Sequence, residues 1–360
     1  MSDEPTSLPD RATRTGPADG VRSALVPGGV DGENAVAALH RSADQAARGY
    51  ANLSRASGTW RAYEADWRQF SAWCAVAEVA CLPALPRTVA RFLAVQAAPS
   101  PQRPHGRAAS TLRRRLAAIR LMHLGAGLVS PHAAPEVTEV LRGIVNARRD
   151  APSARKRPVL AADVCRMVDA LEPGSLAGLR DRALLLLGFA GALRRSELVA
   201  LDVSDLERRE QGWLVTIAFS KGDQAGAGQT IAVPMQTGSA YCPVAAVEDW
   251  MQGANVRAGP LFRRFFRGDA PSPHRLSAQS VTAVVKRGMS HIGQDPRDFA
   301  AHSLRHGFLT QAARNGSDLF RMAAQSRHRD VRTVMGYVQD ESRFDDHPGQ
   351  DMLTGHDPRP

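Results

Sequence analysis

The stretch AHSLRHGFLTQAARNGSDLFRMAAQSRHRDVRTVMGYVQD, residues 301–340, is a helical rhythm broken by turns, with polar residues set into it at fixed intervals. Its spacing predicts helices at 302–314, 318–325 and 330–340, Asn315-Gly316 ending the first and Ser317 capping the second. His302 and Arg305 stand three residues apart, so one helix face offers a proton carrier beside a cation. His328 follows Arg305 by 23 residues and Tyr337 follows His328 by nine, on a segment, VRTVMGYV, regular enough to hold the tyrosine on a helix. Each has an ordinary reading alone, as a surface arginine or a half-buried aromatic with its hydroxyl bonded. The combination points beyond packing.

Upstream, GFAGALRRSELVALDVSDL (188–206) ends an apolar helix at Gly191 and presents Arg194, with Glu197 three residues later. The longest apolar run, ALLLLGFAGAL at 183–193, is well short of the roughly 18 residues that span a bilayer, which excludes a membrane helix. Helices are predicted at 161–171, 179–191, 243–251 and 277–292. WLVTIAF (213–219) and TIAVP (230–234) flank the polar, Gly-rich SKGDQAGAGQ and predict a β-hairpin inserted among helices.

Residues before Pro158 read differently. In TWRAYEADWRQFSAWCAVAEV the residues Trp60, Tyr63, Trp67, Phe70 and Cys74 recur at steps of three and four, predicting an amphipathic helix whose aromatics form core. LPRTVARFLAVQAA, opened by Pro86, predicts a second helix, and STLRRRLAAIRLMHLGAG a third. On the third, Leu112, Leu116, Ile119 and Met122 make one stripe, while Arg113, Arg114 and Arg120 lie off it and can face phosphates. PEVTEVLRGIVNARRDA predicts a fourth, and APSARKRPVL reads as a linker. Residues 1–45, rich in Pro, Gly, Ala and Asp, are expected to be a disordered tail, and 346–360 an irregular C-terminal tail.

The 360 residues, 43% hydrophobic and 23% charged, exclude wholesale disorder and fibrous classes and fit two domains. The net charge of +10 is concentrated: residues 46–157 hold 18 Arg and Lys against six acids, whereas residues 1–45 carry a net −3. Such a basic segment selects a polyanion, most often nucleic acid. Cys74, Cys81, Cys165 and Cys242 have neither metal-ligand nor disulfide-scaffold spacing, and the N-terminus lacks the apolar core of a secretory signal. A reducing cytoplasm is expected, with no metal and no cofactor.

Together, G-A-L-Arg194-R-S-Glu197-L, Lys221 on the hairpin, His302-S-L-Arg305, Arg327-His328 and Tyr337 resemble the tyrosine recombinase (phage integrase) family, the Cre-like and Xer-like enzymes. The resemblance extends over roughly residues 55–345. It implies a mainly α (α+β) chain: a helical SAM-like core-binding domain at 50–153, then a mostly helical DNA breaking-rejoining catalytic domain with a small antiparallel β-sheet at 158–345. It also implies a 3′-phosphotyrosyl intermediate formed without ATP or divalent metal. Double-stranded DNA would be the partner, clamped from opposite faces by the two domains. A homotetramer on two DNA sites would exchange strands in two steps through a Holliday junction, with accessory directionality proteins possible. The chain departs from the family pattern at Arg327, where these enzymes usually carry glycine, so the turn before His328 must form without glycine's freedom.

The residues fit that chemistry. Attack by the Tyr337 hydroxyl on a phosphodiester needs the pentavalent phosphorus charge neutralised, which suits the guanidinium forks of Arg194 and Arg305. His302 can take the phenol proton or bond a nonbridging oxygen, and His328 can donate to the same phosphate. Lys221, one of only three lysines among 46 Lys and Arg, is the candidate acid for the departing 5′ oxygen. Glu197 supports Arg194. Two rivals remain open: a type IB topoisomerase-like nicking and closing enzyme, which needs no synapsis of two sites, and a catalytically silent DNA-binding protein of the same fold.

Overall fold

The computed structural model describes residues 39–43, 45, 57–101, 103–148, 156–217, 228–266, 270–328 and 330–341. The chain divides into two compact units, Met1–Pro152 and Ser153–Pro360.

The first unit is helical: α1 (Ser57–Val76), α2 (Pro86–Ala97), α3 (Ala109–Gly125) and α4 (Pro135–Asn146). Pro86 and Pro135 each start a helix, where the missing N–H is not needed. Helix α1 packs on α3 and α2 on α4. Phe70, Cys74, Val89, Phe92, Leu93, Leu112, Ile119 and Val137 form the core, with the rings of Phe70 and Phe92 edge to face at 5.1 Å. Trp67 packs against this core from its margin, while Trp60 and Tyr63 stay half-buried outside it. His123 is fully buried: its Nε2 accepts from the Ala84 N–H at 3.0 Å, so Nδ1 carries the proton and donates to the Ile119 carbonyl at 2.8 Å. It ties the loop before α2 to α3.

The second unit wraps helices around α6 (Leu176–Ala190), whose residues from Ala183 to Gly188 are all buried. Helix α6 begins three residues earlier than the sequence suggests, because Ser175 caps it by accepting from the Gly178 N–H at 2.9 Å. Around it lie α5 (Ala161–Asp169), α7 (Arg195–Ala200), α8 (Pro243–Gly253), α9 (Ala278–His291), α10 (His302–Arg314), α11 (Leu319–Ser326) and α12 (Val331–Glu341). Strands β1 (Leu206–Arg209), β2 (Gly212–Ile217) and β3 (Gln229–Pro234) form one antiparallel sheet in sequence order. Val215, Ile217, Ile231 and Val233 face the core at alternate positions, with Val215 opposite Ile231.

Helix α10 runs hard against the backbone of residue 159. The Val159 N–H donates to the Ser303 carbonyl at 3.0 Å, and a Cβ on Gly307 would stand 1.6 Å from the Val159 carbonyl oxygen. Glycine is obligatory there, and its contact fixes the helix that carries His302 and Arg305.

Four local expectations change. Asp318, not Ser317, caps α11, its carboxylate accepting from the Arg321 N–H at 2.9 Å. Strand β1 and the hairpin of β4 (Arg263–Phe265) with β5 (Pro271–Arg275) were not foreseen: LERR and PSPHR lack apolar alternation, and the hydrogen-bonding partner rather than the side chains makes them strands. Within the expected disordered tail at 1–45, residues 39–43 and 45 are helical, as an alanine-rich segment allows, and the rest lies outside the described residues. The expected irregular tail at 346–360 also lies outside them.

Candidate active site

The chain leaves α6 through Ala192, which is left-handed at φ 45°, and this turn delivers Arg194 to the N-terminus of α7. Glu197, in the first turn of that helix, reaches back. One carboxylate oxygen accepts from the Arg194 backbone N–H at 2.8 Å and the other from its guanidinium. Glu197 is 2% exposed, so the pair is not the surface contact that an i, i+3 spacing suggests.

Arg305 comes from α10 and is 1% exposed. Its Nη1 donates to the Ala192 carbonyl at 2.8 Å, and its Nη2 lies 3.3 Å from Nε2 of His328. Ser326 gives its hydroxyl proton to the Met322 carbonyl at 2.6 Å, so at 2.7 Å it accepts from Nδ1–H of His328. His328 Nε2 is therefore the unprotonated nitrogen, turned to Arg305.

Arg327 completes the cluster. It adopts φ 56° and ψ 46°, the left-handed region, so the turn is made without glycine at a cost of about 1–2 kcal/mol. Its guanidinium donates to Glu197 at 2.7 Å, to the Gly191 and Ala192 carbonyls at 3.2 Å each, and to the Gln325 carbonyl at 2.8 Å.

Charge is unbalanced in this network, three guanidinium groups facing one carboxylate. Burial, then the charges of Arg194 and Arg327, pulls the Arg305 guanidinium down to about 9. Burial, then Arg305 and Arg194, pulls His328 down to about 4. Burial pushes the Glu197 carboxyl up, but the Arg327 charge and the Arg194 hydrogen bonds outweigh it and hold it below the usual range. Desolvation, then Arg305, His306 and Arg194, lowers His302. Both histidines are neutral at pH 7, leaving a surplus of two positive charges.

Tyr337, on α12, is half-buried with its ring 5.1 Å from His306, edge to face. It lines a cleft of about 460 Å³ with His302, His306, Lys156, Thr333 and Gly336. The structure thus brings Arg194, Glu197, Arg305 and His328 into one hydrogen-bonded network, and His302 and Tyr337 into one cleft beside it. Lys221 lies outside the described residues. The strands that bracket it in sequence pair as far as Ile217 and Gln229, and Gln229 and Thr230 share a second cavity, about 380 Å³, with Arg327 and His328. Among the described residues no group of three or more His, Cys, Asp or Glu side chains could hold a metal ion. No described helix is long and apolar enough to cross a membrane.

In the first unit, Arg113, Arg114 and Arg120 are all exposed on α3. Arg114 is tied to Asp66 by hydrogen bonds of 2.7 and 3.2 Å. Sequence reasoning missed Arg327 as a side chain, along with Ser326, Gln325 and His306. Arg327 had one signal, a bulky cation where the pattern asks for glycine.

Comparison with known proteins gives the family of the chain. The family model described as the phage integrase family matches residues 159–343. An "Integrase/recombinase xerD homolog" of Selenomonas ruminantium is 36% identical over 296 residues, covering 81% of this chain and 84% of that protein. A "Tyrosine recombinase XerD" of Listeria monocytogenes serotype 4b (strain F2365) is 25% identical over 290 residues, covering 78% of this chain and 88% of that one. Among solved structures, a lambda integrase dimer bound to a COC′ core site aligns with a TM-score of 0.54 at 14% identity over 85% of this chain and 96% of that one, which speaks for the fold. With the family model spanning half the chain and the Selenomonas relative most of it, the chain belongs to the phage integrase family of tyrosine recombinases.

Proposed function

We propose that this site-specific DNA recombinase breaks and rejoins duplex DNA at Tyr337. The Tyr337 oxygen attacks the scissile phosphorus, the bond to O5′ breaks, and a 3′-phosphotyrosyl link forms while His302 takes the phenol proton. Arg194 and Arg305 hold the nonbridging oxygens. A phosphate entering the site replaces the weak 3.3 Å contact between Arg305 and His328 with charge-assisted bonds, and its negative charge restores the proton on His328 Nε2, which then donates to it. Lys221 supplies the proton to O5′. A 5′-hydroxyl from the partner strand reverses the attack, so the bond energy is kept and no nucleotide is consumed.

The observation that carries this reading is the surplus of two positive charges beside the tyrosine cleft, matched to a pentavalent phosphorus bearing two negative charges. Duplex DNA is the substrate, bound in part by Arg113, Arg114 and Arg120 of a core-binding domain at 50–153, with catalysis in a domain at 158–345. A homotetramer on two sites, accessory directionality proteins and a cytoplasmic setting complete the proposal. The test is a nicked suicide substrate from which the short 5′-hydroxyl strand diffuses away. The protein should accumulate a covalent adduct, and Tyr337→Phe should bind the DNA yet form none. Adduct in that variant, or mapping of the link to Tyr63 or Tyr241, overturns the assignment. Joining two labelled sites into one complex separates recombination from simple nicking and closing.

A further inference from the structure

Arg327 occupies a position that glycine would fill without strain, yet its guanidinium is 2% exposed and its two terminal nitrogens donate to four acceptors within the site. A side chain needed only to make the turn would not be buried in this way. Two of its acceptors matter most. Glu197 is the same carboxylate that holds Arg194 by backbone and side chain, and the Ala192 carbonyl is the same oxygen that holds Arg305 Nη1. The backbone of Arg327 in turn delivers His328. One residue therefore touches the support of all three phosphate-facing groups.

We infer that Arg327 is a positioning residue for the DNA-cleavage step: it shares the charge of buried Glu197, so that Arg194 keeps guanidinium donors free for the scissile phosphate, and it fixes the Ala192 carbonyl on which Arg305 rests. The inference builds on the recombinase reading above. Without Arg327, Glu197 is a buried carboxylate with Arg194 as its one cationic partner, and the attraction between them strengthens at the expense of the phosphate. The defect is then one of charge, and removing the charge of Glu197 should relieve it.

The experiment uses the full-length protein with Arg327→Gly, Arg327→Lys, Glu197→Gln and the double variant Arg327→Gly/Glu197→Gln. Glycine takes the left-handed turn freely, so Arg327→Gly removes the guanidinium and keeps the backbone. At saturating suicide substrate, Arg327→Gly should cleave on the order of 10²-fold more slowly, the cost of a misplaced phosphate clamp, with DNA affinity changed less than about threefold. Arg327→Lys, with one ammonium in place of a fork, should fall between. In the Glu197→Gln background the same Arg327→Gly change should cost less than about fivefold. Cleavage by Arg327→Gly at the wild-type rate overturns the inference, as does an equal cost in both backgrounds. Thermal melting without DNA gives a second reading: the loss in melting temperature from Arg327→Gly should shrink in the Glu197→Gln background, and additive losses count against the inference. If wild-type protein forms no adduct, the recombinase reading fails, while this cycle still decides whether Arg327 and Glu197 are coupled.

Discussion

Both units gather arginines around a single buried carboxylate, and the two clusters differ in how much positive charge is left over. In the first, Asp66, 4% exposed, accepts from Arg114 and lies 3.4 Å from Arg115, whose other nitrogens donate to the amide oxygens of Gln69 and Gln96. Two cations meet one anion and two neutral acceptors, and burial, then the Arg107 charge, lowers the Arg115 guanidinium as well. In the second, three cations meet Glu197, a few carbonyls and an imidazole held at 3.3 Å. The first arrangement clamps three helices together. The second carries the larger surplus, and burial, then the neighbouring guanidinium charges, pulls Arg305 down to about 9 and His328 to about 4. Burying an arginine does not by itself make a phosphate site: the first cluster joins helices with a surplus of one charge, whereas the second carries a surplus of two beside a tyrosine cleft.

Shortening one arginine in each cluster tells the two apart. Arg305→Met should lower the cleavage rate by on the order of 10²–10³ while leaving stability within about 1 kcal/mol. The Ala192 carbonyl keeps Arg327 as a partner, so shortening Arg305 leaves that buried acceptor satisfied. Arg115→Met should do the reverse, costing on the order of 3 kcal/mol in denaturant melts by stripping a buried partner from Asp66, with DNA-bound protein cleaving at a near-normal rate. Equal losses of stability would erase the distinction.

Lys221→Ala tests the last proton. Cleavage should slow by on the order of 10² on ordinary DNA and recover when the bridging 5′ oxygen is sulfur, which leaves without a proton. Arg305→Met should not recover, because the nonbridging charge remains. Equal Lys221→Ala defects on both substrates would reduce the lysine to a DNA contact.

Acid acts on the second cluster through His328. The folded-state pKa of His328 is lowered from the usual 6.5 to about 4, so between those values the unfolded chain binds the proton and the folded chain does not. Stability is therefore full above about pH 6.5 and falls as the pH drops toward 4. The melting temperature should decline by a few degrees across this window, and by less in His328→Asn, where nothing titrates. Bound DNA should flatten the decline by supplying the missing anion. An unchanged slope in the variant would show that other groups carry the effect.

The smallest effects concern salt. If about six phosphates are neutralised, log K against log salt should slope near −5. Arg113→Ala and Arg120→Ala, both exposed, should each reduce the slope by about 1. Arg114→Ala should change it less, because Asp66 already holds that guanidinium. A larger effect at Arg114 would mean that DNA displaces Asp66.

Much of this was legible in order along the chain. The helix at 302–314 was read to its ends, because apolar spacing and the Asn315-Gly316 stop are local signals. Spacing alone put His302 and Arg305 on one helix face, while the grouping of Arg194, His302, Arg305, His328 and Tyr337 rested on the resemblance to a family motif. Strands β1, β4 and β5 were not legible, because their side chains follow no alternation and their identity is decided by the strand opposite. Asp318 displaced Ser317 as the cap by one position, a choice settled by which carboxylate or hydroxyl meets an open N–H.

The helical class, the basic segment and the odd cation at position 327 can be read from the chain alone, because periodicity, charge and residue type are carried by neighbours along it. Tertiary structure alone decided that Glu197 serves Arg194 and Arg327 together and that the Ala192 carbonyl serves Arg305 and Arg327. It also decided that Arg114 is spent on Asp66 while Arg113 and Arg120 are not. Partners separated by 48 to 135 residues leave no local trace, and the balance of charge in a buried site is a sum over groups that only folding brings within reach of one another.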